Sequence, residues 1–332
     1  MPSFADIRQF VVGQAFETPA LPKTSFRGKT VIVTGANSGL GLECAKHLVA
    51  LDVTRLLLAC RNAERGEEAR KNILRSQADC KTVIEVVIID MSDSKSVIAF
   101  AESIAARFDR VDALIANAGI DTLTFELVGG DESTLAVNVV GTMRLAIKML
   151  PKLQETATQT GSPTHLSVVG SSIHAFAPDG QITSPTKGQI FATLNDEKKA
   201  EMSSRYFLSK LIVMLCTQEL ATRSSKGRYK DVVVNCVNPG WCKTKLFRVD
   251  DGGLGGRIGL RLLGRTAEEG SRTLVNAISG DRDTHGAYLS ECRPKEMSAF
   301  VRSAAGHASR EQLWVELMAK LDAADPVLSQ TI

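Results

Sequence analysis

The sequence predicts a doubly wound, mostly parallel α/β sheet with helices on both faces, and three features point to it. Short apolar runs alternate with longer amphipathic stretches along the chain, as expected of parallel strands joined by right-handed crossovers. The first of these runs passes directly into a glycine-rich turn and then into a helical pattern. The 332 residues carry 44% hydrophobic and 23% charged side chains, the balance of a globular chain with a proper core rather than a disordered or fibrous one.

Taken in order, residues 1–27 form an N-terminal extension rich in Phe and Pro. It is expected to pack on the domain or to be ordered by a partner subunit. Phe4, Ile7, Phe10 and Val11 could alternatively rest on a membrane surface, a reading that the short length and weak basicity disfavour. Residues 28–332 read as a single domain. Thr30, Val31, Ile32, Val33 and Thr34 are all β-branched and read as a fully buried strand, after which Leu42, Ala45, Leu48 and Val49 recur at helical spacing. A second run at 56–59 precedes a charged helix from Asn62 to Gln77. A third, from Val83 to Ile89, precedes a helix that Asp93 can cap, with Val97, Phe100, Ala101, Ile104 and Phe108 on one face. Val111 to Ala116, Leu166 to Val169 and Val232 to Val237 continue the series. Residues 175–203, with Pro178, Gly180, Pro185 and Gly188, read as an inserted loop. Residues 245–265 hold six glycines and read as a flexible substrate loop able to close over a ligand. A C-terminal helix over residues 307–323 sets Leu313, Trp314, Leu317, Met318 and Leu321 on one face, an added layer over the core.

Charge and cysteine content narrow the partners. Forty Lys and Arg against 37 Asp and Glu give a net charge of +3, too small an excess for nucleic acid or an acidic membrane to be the main partner. No apolar stretch is long enough to span a bilayer, and Met1 to Asp6 lacks a secretory pattern. Seven cysteines without a C-x-x-C spacing fit reduced thiols, with neither structural disulfides nor a zinc site. A cytoplasmic protein with no metal is expected, and homo-oligomerisation is left open.

The turn after the first strand reads Thr34-Gly35-Ala36-Asn37-Ser38-Gly39-Leu40-Gly41. Glycines there let the backbone approach a pyrophosphate, and the following helix offers its unpaired N–H groups to the phosphates. A Rossmann-type dinucleotide site over Gly35, Asn37, Ser38, Gly39, Leu40 and Gly41 is therefore expected. At the end of the second strand, where an acidic residue would bind the free 2′-hydroxyl of NAD, the chain has Ala59-Cys60-Arg61-Asn62. Arg61 suits a 2′-phosphate, so NADPH rather than NADH is the expected cofactor. Asp90 ends the third strand, placed to accept from the adenine amino group or simply to start the next loop. Asn117, in Ala116-Asn117-Ala118-Gly119, suits a backbone lying along the adenosine ribose.

Tyr206 and Lys210 stand four residues apart, on one face of a helix, after a strand ending in Gly170-Ser171-Ser172. With the glycine turn, the Ala116 to Gly119 segment and Asn235-Cys236-Val237-Asn238-Pro239-Gly240, they make the chain resemble the short-chain dehydrogenase/reductase superfamily over roughly residues 28 to 290. The long gap between Ser172 and Tyr206, and Leu-Ala-Cys-Arg at 58–61, look most like its retinol-dehydrogenase-like and fungal tailoring branches. The resemblance implies a catalytic set of Asn138, Ser172, Tyr206 and Lys210. It places the catalytic hydroxyl at Ser172 rather than Ser171, makes Asn138 the residue that orders a water leading to the lysine, has Lys210 also hold the nicotinamide ribose, and has Thr244 bond the carboxamide. Pro239 and Gly240 would shape the turn beside the nicotinamide.

Chemically, reduction of a carbonyl needs a hydride at carbon and a proton at oxygen. Tyr206 is the expected acid/base, with Lys210 and the oxidised nicotinamide's charge lowering its pKa in the oxidative direction. Ser172 would stabilise charge on the substrate oxygen. His174, Phe176, Trp241, Leu246 and Phe247 lie nearby in sequence and favour a lipophilic ketone or secondary alcohol of specialised-metabolite, steroid or retinoid type. His174 reads as a hydrogen-bonded loop residue. The alternatives are a non-catalytic dinucleotide-binding scaffold or sensor, which the intact four-residue set argues against, and a methyltransferase, which gives no role to Tyr206 and Lys210.

Overall fold

The computed structural model describes residues 2–77, 80–244, 246, 261, 263–326 and 328–332. Helix α1 (Phe4–Phe16) opens on a capping box in which the Ser3 hydroxyl accepts from the Asp6 N–H and the Asp6 carboxylate returns to the Ser3 N–H. There follow β1 (Thr30–Thr34), α2 (Gly39–Ala50), β2 (Arg55–Cys60), α3 (Ala63–Ser76), β3 (Val83–Ile88), α4 (Ser94–Arg107) and β4 (Ala113–Ala116). Asn62 caps α3 and Asp93 caps α4, each side-chain oxygen accepting from a first-turn N–H. The second half contains α5 (Thr142–Thr160), β5 (Thr164–Val169), α6 (Met202–Lys226), β6 (Val232–Asn238), α7 (Ala267–Ala277), β7 (Tyr288–Ser290), β8 (Arg293–Lys295) and α8 (Ala304–Ala324).

The eight strands form one sheet in the order β3-β2-β1-β4-β5-β6-β7-β8, parallel throughout except for the antiparallel β7–β8 pair. Strands β1, β4, β5 and β6 are buried along their whole length, so their apolar residues do not alternate with exposed ones, and a polar residue among them, Asn235, is hydrogen-bonded inside. Successive residues of one strand feed opposite layers. Val31 and Val33 pack with the residues of α2, α3 and α7, whereas Ile32 packs with those of α4, α5, α6 and α8. Strand order reverses between β1 and β4, so a crevice opens at the carboxyl ends of these strands.

Three expectations change. The N-terminal extension holds a thirteen-residue helix, packed on the domain: the Arg265 guanidinium donates to the Gly13 and Glu17 carbonyls at 2.6 and 2.8 Å. Residues 175–203 are not a plain loop. They contain short helices at Gly180–Thr183 and Ile190–Leu194 and a 3₁₀ turn at Glu197–Lys199, because Ile182, Ile190, Phe191 and Leu194 are buried and pull the backbone into turns. Strands β7 and β8, three residues each, escaped the periodicity argument by their brevity.

Helix α8 packs on α6, burying Leu313, Trp314, Leu317 and Leu321, with the Arg223 guanidinium over the Trp314 ring. Truncating Trp314 to Ala should cost about 3 to 5 kcal/mol of unfolding free energy, as for a buried large aromatic. Urea denaturation reads this directly, and a loss below about 1 kcal/mol would show α8 to be peripheral to the core.

Candidate active site

The crevice at the strand reversal is a cavity of about 1420 Å³, larger than a single drug-sized ligand requires. One end is the glycine turn, where Gly35, Asn37, Ser38, Gly39 and Leu40 line the wall. Gly35 and Gly39 have φ of +65° and +55°, a conformation that side chains disfavour. Gly41 does not line the cavity. A Cβ there would lie 2.5 Å from the Gly35 carbonyl oxygen, so its role is to let α2 pack under the turn rather than to touch a ligand. Ser38 caps α2 in extended conformation without a side-chain cap bond, which leaves its hydroxyl beside the helix N-terminus. This cradle fits a pyrophosphate.

Asn117 and Thr34 hold the two sides of the reversal together. The Thr34 hydroxyl accepts from the N–H groups of Asn117 and Ala118, each at 2.9 Å, and the Asn117 side-chain amide donates to the Thr34 carbonyl at 2.8 Å. Asn117 lines the cavity, but its amide nitrogen is engaged in this clamp. At the far end, Arg61, Asn62, Asp90 and Arg65 line the wall. Arg61 and Arg65 are exposed, and neither guanidinium makes an ion pair among the described residues. Arg65 went unread in the sequence, although it stands four residues after Arg61 in the turn that Asn62 caps. The Asp90 carboxylate accepts from the Ser92 N–H and hydroxyl, so it starts the next loop as well as facing the cavity.

Tyr206 and Lys210, one turn apart on α6, are both buried and both line the cavity. The Lys210 ammonium donates to the Val169 carbonyl at 2.9 Å, at the end of β5, and sits 5.6 Å from the centre of the Tyr206 ring. Burial pulls the Lys210 ammonium down to about 8. Burial first, then the nearby Asp121 carboxyl and Cys242, pushes the Tyr206 phenol above its ordinary value. The expected lowering drew on the oxidised nicotinamide's charge together with Lys210; within the protein alone burial sets the direction upward, and the phenol is protonated at neutral pH.

Ser171 and Ser172 separate by their hydrogen bonds. The Ser171 hydroxyl accepts from the Ile173 N–H and caps the 3₁₀ turn Ser172–Phe176. Ser172 is held through its backbone N–H, which donates to the Asn238 side-chain oxygen at 2.9 Å, and its hydroxyl has no partner among the described residues. Asn138 lies behind the cavity wall, in a π-helical turn spanning Ala136–Gly141. Its amide donates to the Ile120 carbonyl and the Ser209 hydroxyl and accepts from the Ile120 N–H, so it ties the end of β4 to α6. Beside Tyr206, the fully buried Arg205 donates to the Leu194 carbonyl and lies 3.6 Å from the equally buried Glu132, whose carboxylate caps the turn leading to Asn138. This pair fastens the 175–203 segment to α6, and sequence pattern offered no sign of it.

Pro239, Gly240 and Thr244 also line the cavity, with the Thr244 methyl facing Gly39. Phe176, Trp241 and Leu246 form apolar wall. His174 is buried behind it, bonded to the Ser171 carbonyl and accepting from the Ser298 N–H. Phe247 and most of residues 245–265 lie outside the described residues. Phe10, from α1, is also part of the wall, a place the sequence did not assign it.

A family model for short chain dehydrogenases matches residues 29–171. Among similar proteins, the short chain dehydrogenase/reductase dmxR8 of Cryptosporiopsis sp. is 37% identical over 96% of this chain and 98% of its own length. The short chain dehydrogenase atnD of Emericella nidulans is 38% identical over 87% of this chain and 91% of its own. A short chain dehydrogenase from Shigella flexneri, solved with NADP, superposes with a TM-score of 0.60 at 19% identity, covering 82% of this chain and all (100%) of that one.

The buried lysine gives a stability signature. Lys210 titrates near 10.5 when unfolded and near 8 when folded. Between these values the unfolded chain holds more protons, so stability rises with pH. Compared with Lys210→Met, the cofactor-free protein should gain about 3 kcal/mol across that window, read by denaturant unfolding at several pH values. A difference that does not change with pH would contradict the burial of the ammonium.

Proposed function

This chain belongs to the short-chain dehydrogenase/reductase family, and on that premise we propose that it is an NADPH-dependent reductase of a ketone on a lipophilic small molecule. The family makes it an NAD(P)-dependent oxidoreductase. The finer reading is carried by one observation: Tyr206 and Lys210 are buried side by side in the wall of the cavity that the glycine turn closes. When bound, the reduced nicotinamide supplies the hydride.

The chain's own residues then account for the proton and the charge. Tyr206, whose phenol is protonated at neutral pH, donates its phenolic hydrogen to the substrate oxygen as the hydride arrives at carbon. The Ser172 hydroxyl, which the Ser171 cap leaves uncommitted, hydrogen-bonds the same oxygen as negative charge grows on it. Lys210, cationic below about 8, steadies the phenolate left behind and reaches the nicotinamide ribose. Asn138 acts as a positioning residue, holding the Ile120 segment against α6. Pro239 and Gly240 shape the turn beside the nicotinamide, and Thr244 bonds its carboxamide.

Arg61 and Arg65 together receive the 2′-phosphate, which supports NADPH over NADH. The Shigella structure with NADP is in keeping with this choice. Asp90 takes the adenine amino group, Asn117 borders the adenosine ribose, and the fungal sources of the similar proteins support the fungal branch of the family.

Replacing Tyr206 by Phe should lower NADPH-dependent turnover by more than about a hundredfold while NADPH still binds. Stopped-flow and equilibrium titration separate the two effects, and near-normal turnover would exclude the mechanism. Arg61→Ala or Arg65→Ala should each weaken NADPH binding about tenfold and leave NADH binding unchanged, since each removes one charge-assisted contact. An unaltered preference in the double variant would place the phosphate elsewhere.

A further inference from the structure

We propose that helix α1 is a wall of the substrate site and that Phe10, with Phe176 and Trp241, selects a ketone carrying a flat aromatic ring. The inference rests on the reductase reading above and names the substrate class of the same cavity.

Residues 4–16 lie outside the stretch matched by the family model, so nothing in that shared core requires them. They are nevertheless fastened tightly. Gln14 is buried, and its amide donates to the carbonyls of Trp241 and Leu263, at 3.0 and 2.6 Å, and accepts from the Trp241 N–H at 2.9 Å. One side chain thus joins the helix to both ends of the segment that follows the Pro239-Gly240 turn. Arg265, itself buried and paired with the buried Glu291 at 3.0 Å, donates to the Gly13 and Glu17 carbonyls at the end of the helix. The Asp6 carboxylate accepts from the Ala299 N–H near the other end. Polar groups buried this way are costly to leave unpaired, so α1 holds a fixed place.

Phe10 stands one turn before Gln14, on the same face, and lines the cavity. Its ring neighbours Phe176 and Trp241 line the same cavity as Ser172 and Tyr206, which sets it on the substrate side. Its ring lies 5.9 Å from that of Phe176 at 75°, edge to face, and 6.5 Å from that of Trp241 at 46°. Three rings from three distant parts of the chain therefore meet at one corner, half-buried rather than sealed in the core. Such a corner offers ring faces and edges to a visitor. A flat π system gains edge-to-face and stacked contacts there beyond its buried area, whereas a puckered saturated ring of similar size gains burial alone.

The test compares 2-tetralone with trans-2-decalone, which carry the same reacting ketone on an aromatic or a saturated bicycle. Steady-state reduction is measured for the wild type, Phe10→Ala and Phe10→Leu, with melting temperature and NADPH affinity measured for each. The wild type should show the lower KM for 2-tetralone. Phe10→Ala should raise that KM about tenfold with kcat within about twofold, and should raise the KM for trans-2-decalone far less. Phe10→Leu, which keeps apolar bulk without a ring, should lose the tetralone advantage and keep the decalone KM. It carries the test if the alanine variant folds poorly. Equal losses on both ketones, no loss on either, or a wild type that binds NADPH yet reduces neither would overturn the proposal. Failure of the wild type to bind NADPH would instead overturn the reductase reading beneath it.

Discussion

The clamp between Thr34 and Asn117 is the constraint on which the site depends. Two neighbouring parallel strands, β1 and β4, send their crossovers in opposite directions, and the chain must part where they diverge. The Asn117 side chain donates to the Thr34 carbonyl, and the Thr34 hydroxyl accepts two further bonds from the backbone N–H groups after β4. The crevice therefore opens without either strand end fraying. The glycine turn packs against the same amide: a Cβ on Gly41 would lie 2.7 Å from the Asn117 side-chain nitrogen. Local backbone freedom and one polar clamp together produce a concave, ligand-ready surface at the sheet's carboxyl edge.

Burial then sets the chemistry. Tyr206 and Lys210 lie on α6, a helix so enclosed that both titrating groups are displaced toward their neutral forms. On the proposed reading this desolvation is functional. The phenol carries its proton at neutral pH, and the ammonium beside it can stabilise the phenolate once that proton has left. The supports of these residues are polar and buried in turn: Asn138 through Ser209, Arg205 through Leu194 and Glu132, and Ser172 through Asn238. Asn138 and Arg205 fix backbone behind the wall, while the Asn238 bond holds the Ser172 backbone so that its side chain faces the cavity.

How much of this was legible in the sequence depended on how local each cause was. Strands β1 and β6 are read from their own residues, because a fully buried parallel strand is dominated by β-branched and other apolar residues on both faces. The glycine turn and the Tyr206–Lys210 spacing are local too, and the structure brings them to one cavity. The short helices at 180–183 and 190–194 were not legible, since they form around buried side chains whose partners lie elsewhere in the chain. Helix α1 carried a local sign, the Ser3 and Asp6 capping pair, but its place over the crevice follows from Gln14 contacts made 227 residues away. The upward push of burial on the Tyr206 phenol within the protein alone was not legible either. A spacing of four residues shows that the two groups share a helix face, while the depth at which they are buried is not visible there.

A crystal structure of the NADPH complex tests the central claim most directly. The account predicts the nicotinamide ring between Tyr206 and the Pro239-Gly240 turn, its ribose within hydrogen-bond reach of Lys210, and the 2′-phosphate between Arg61 and Arg65. A cofactor bound across the glycine turn with its nicotinamide ring directed away from Tyr206 would contradict it.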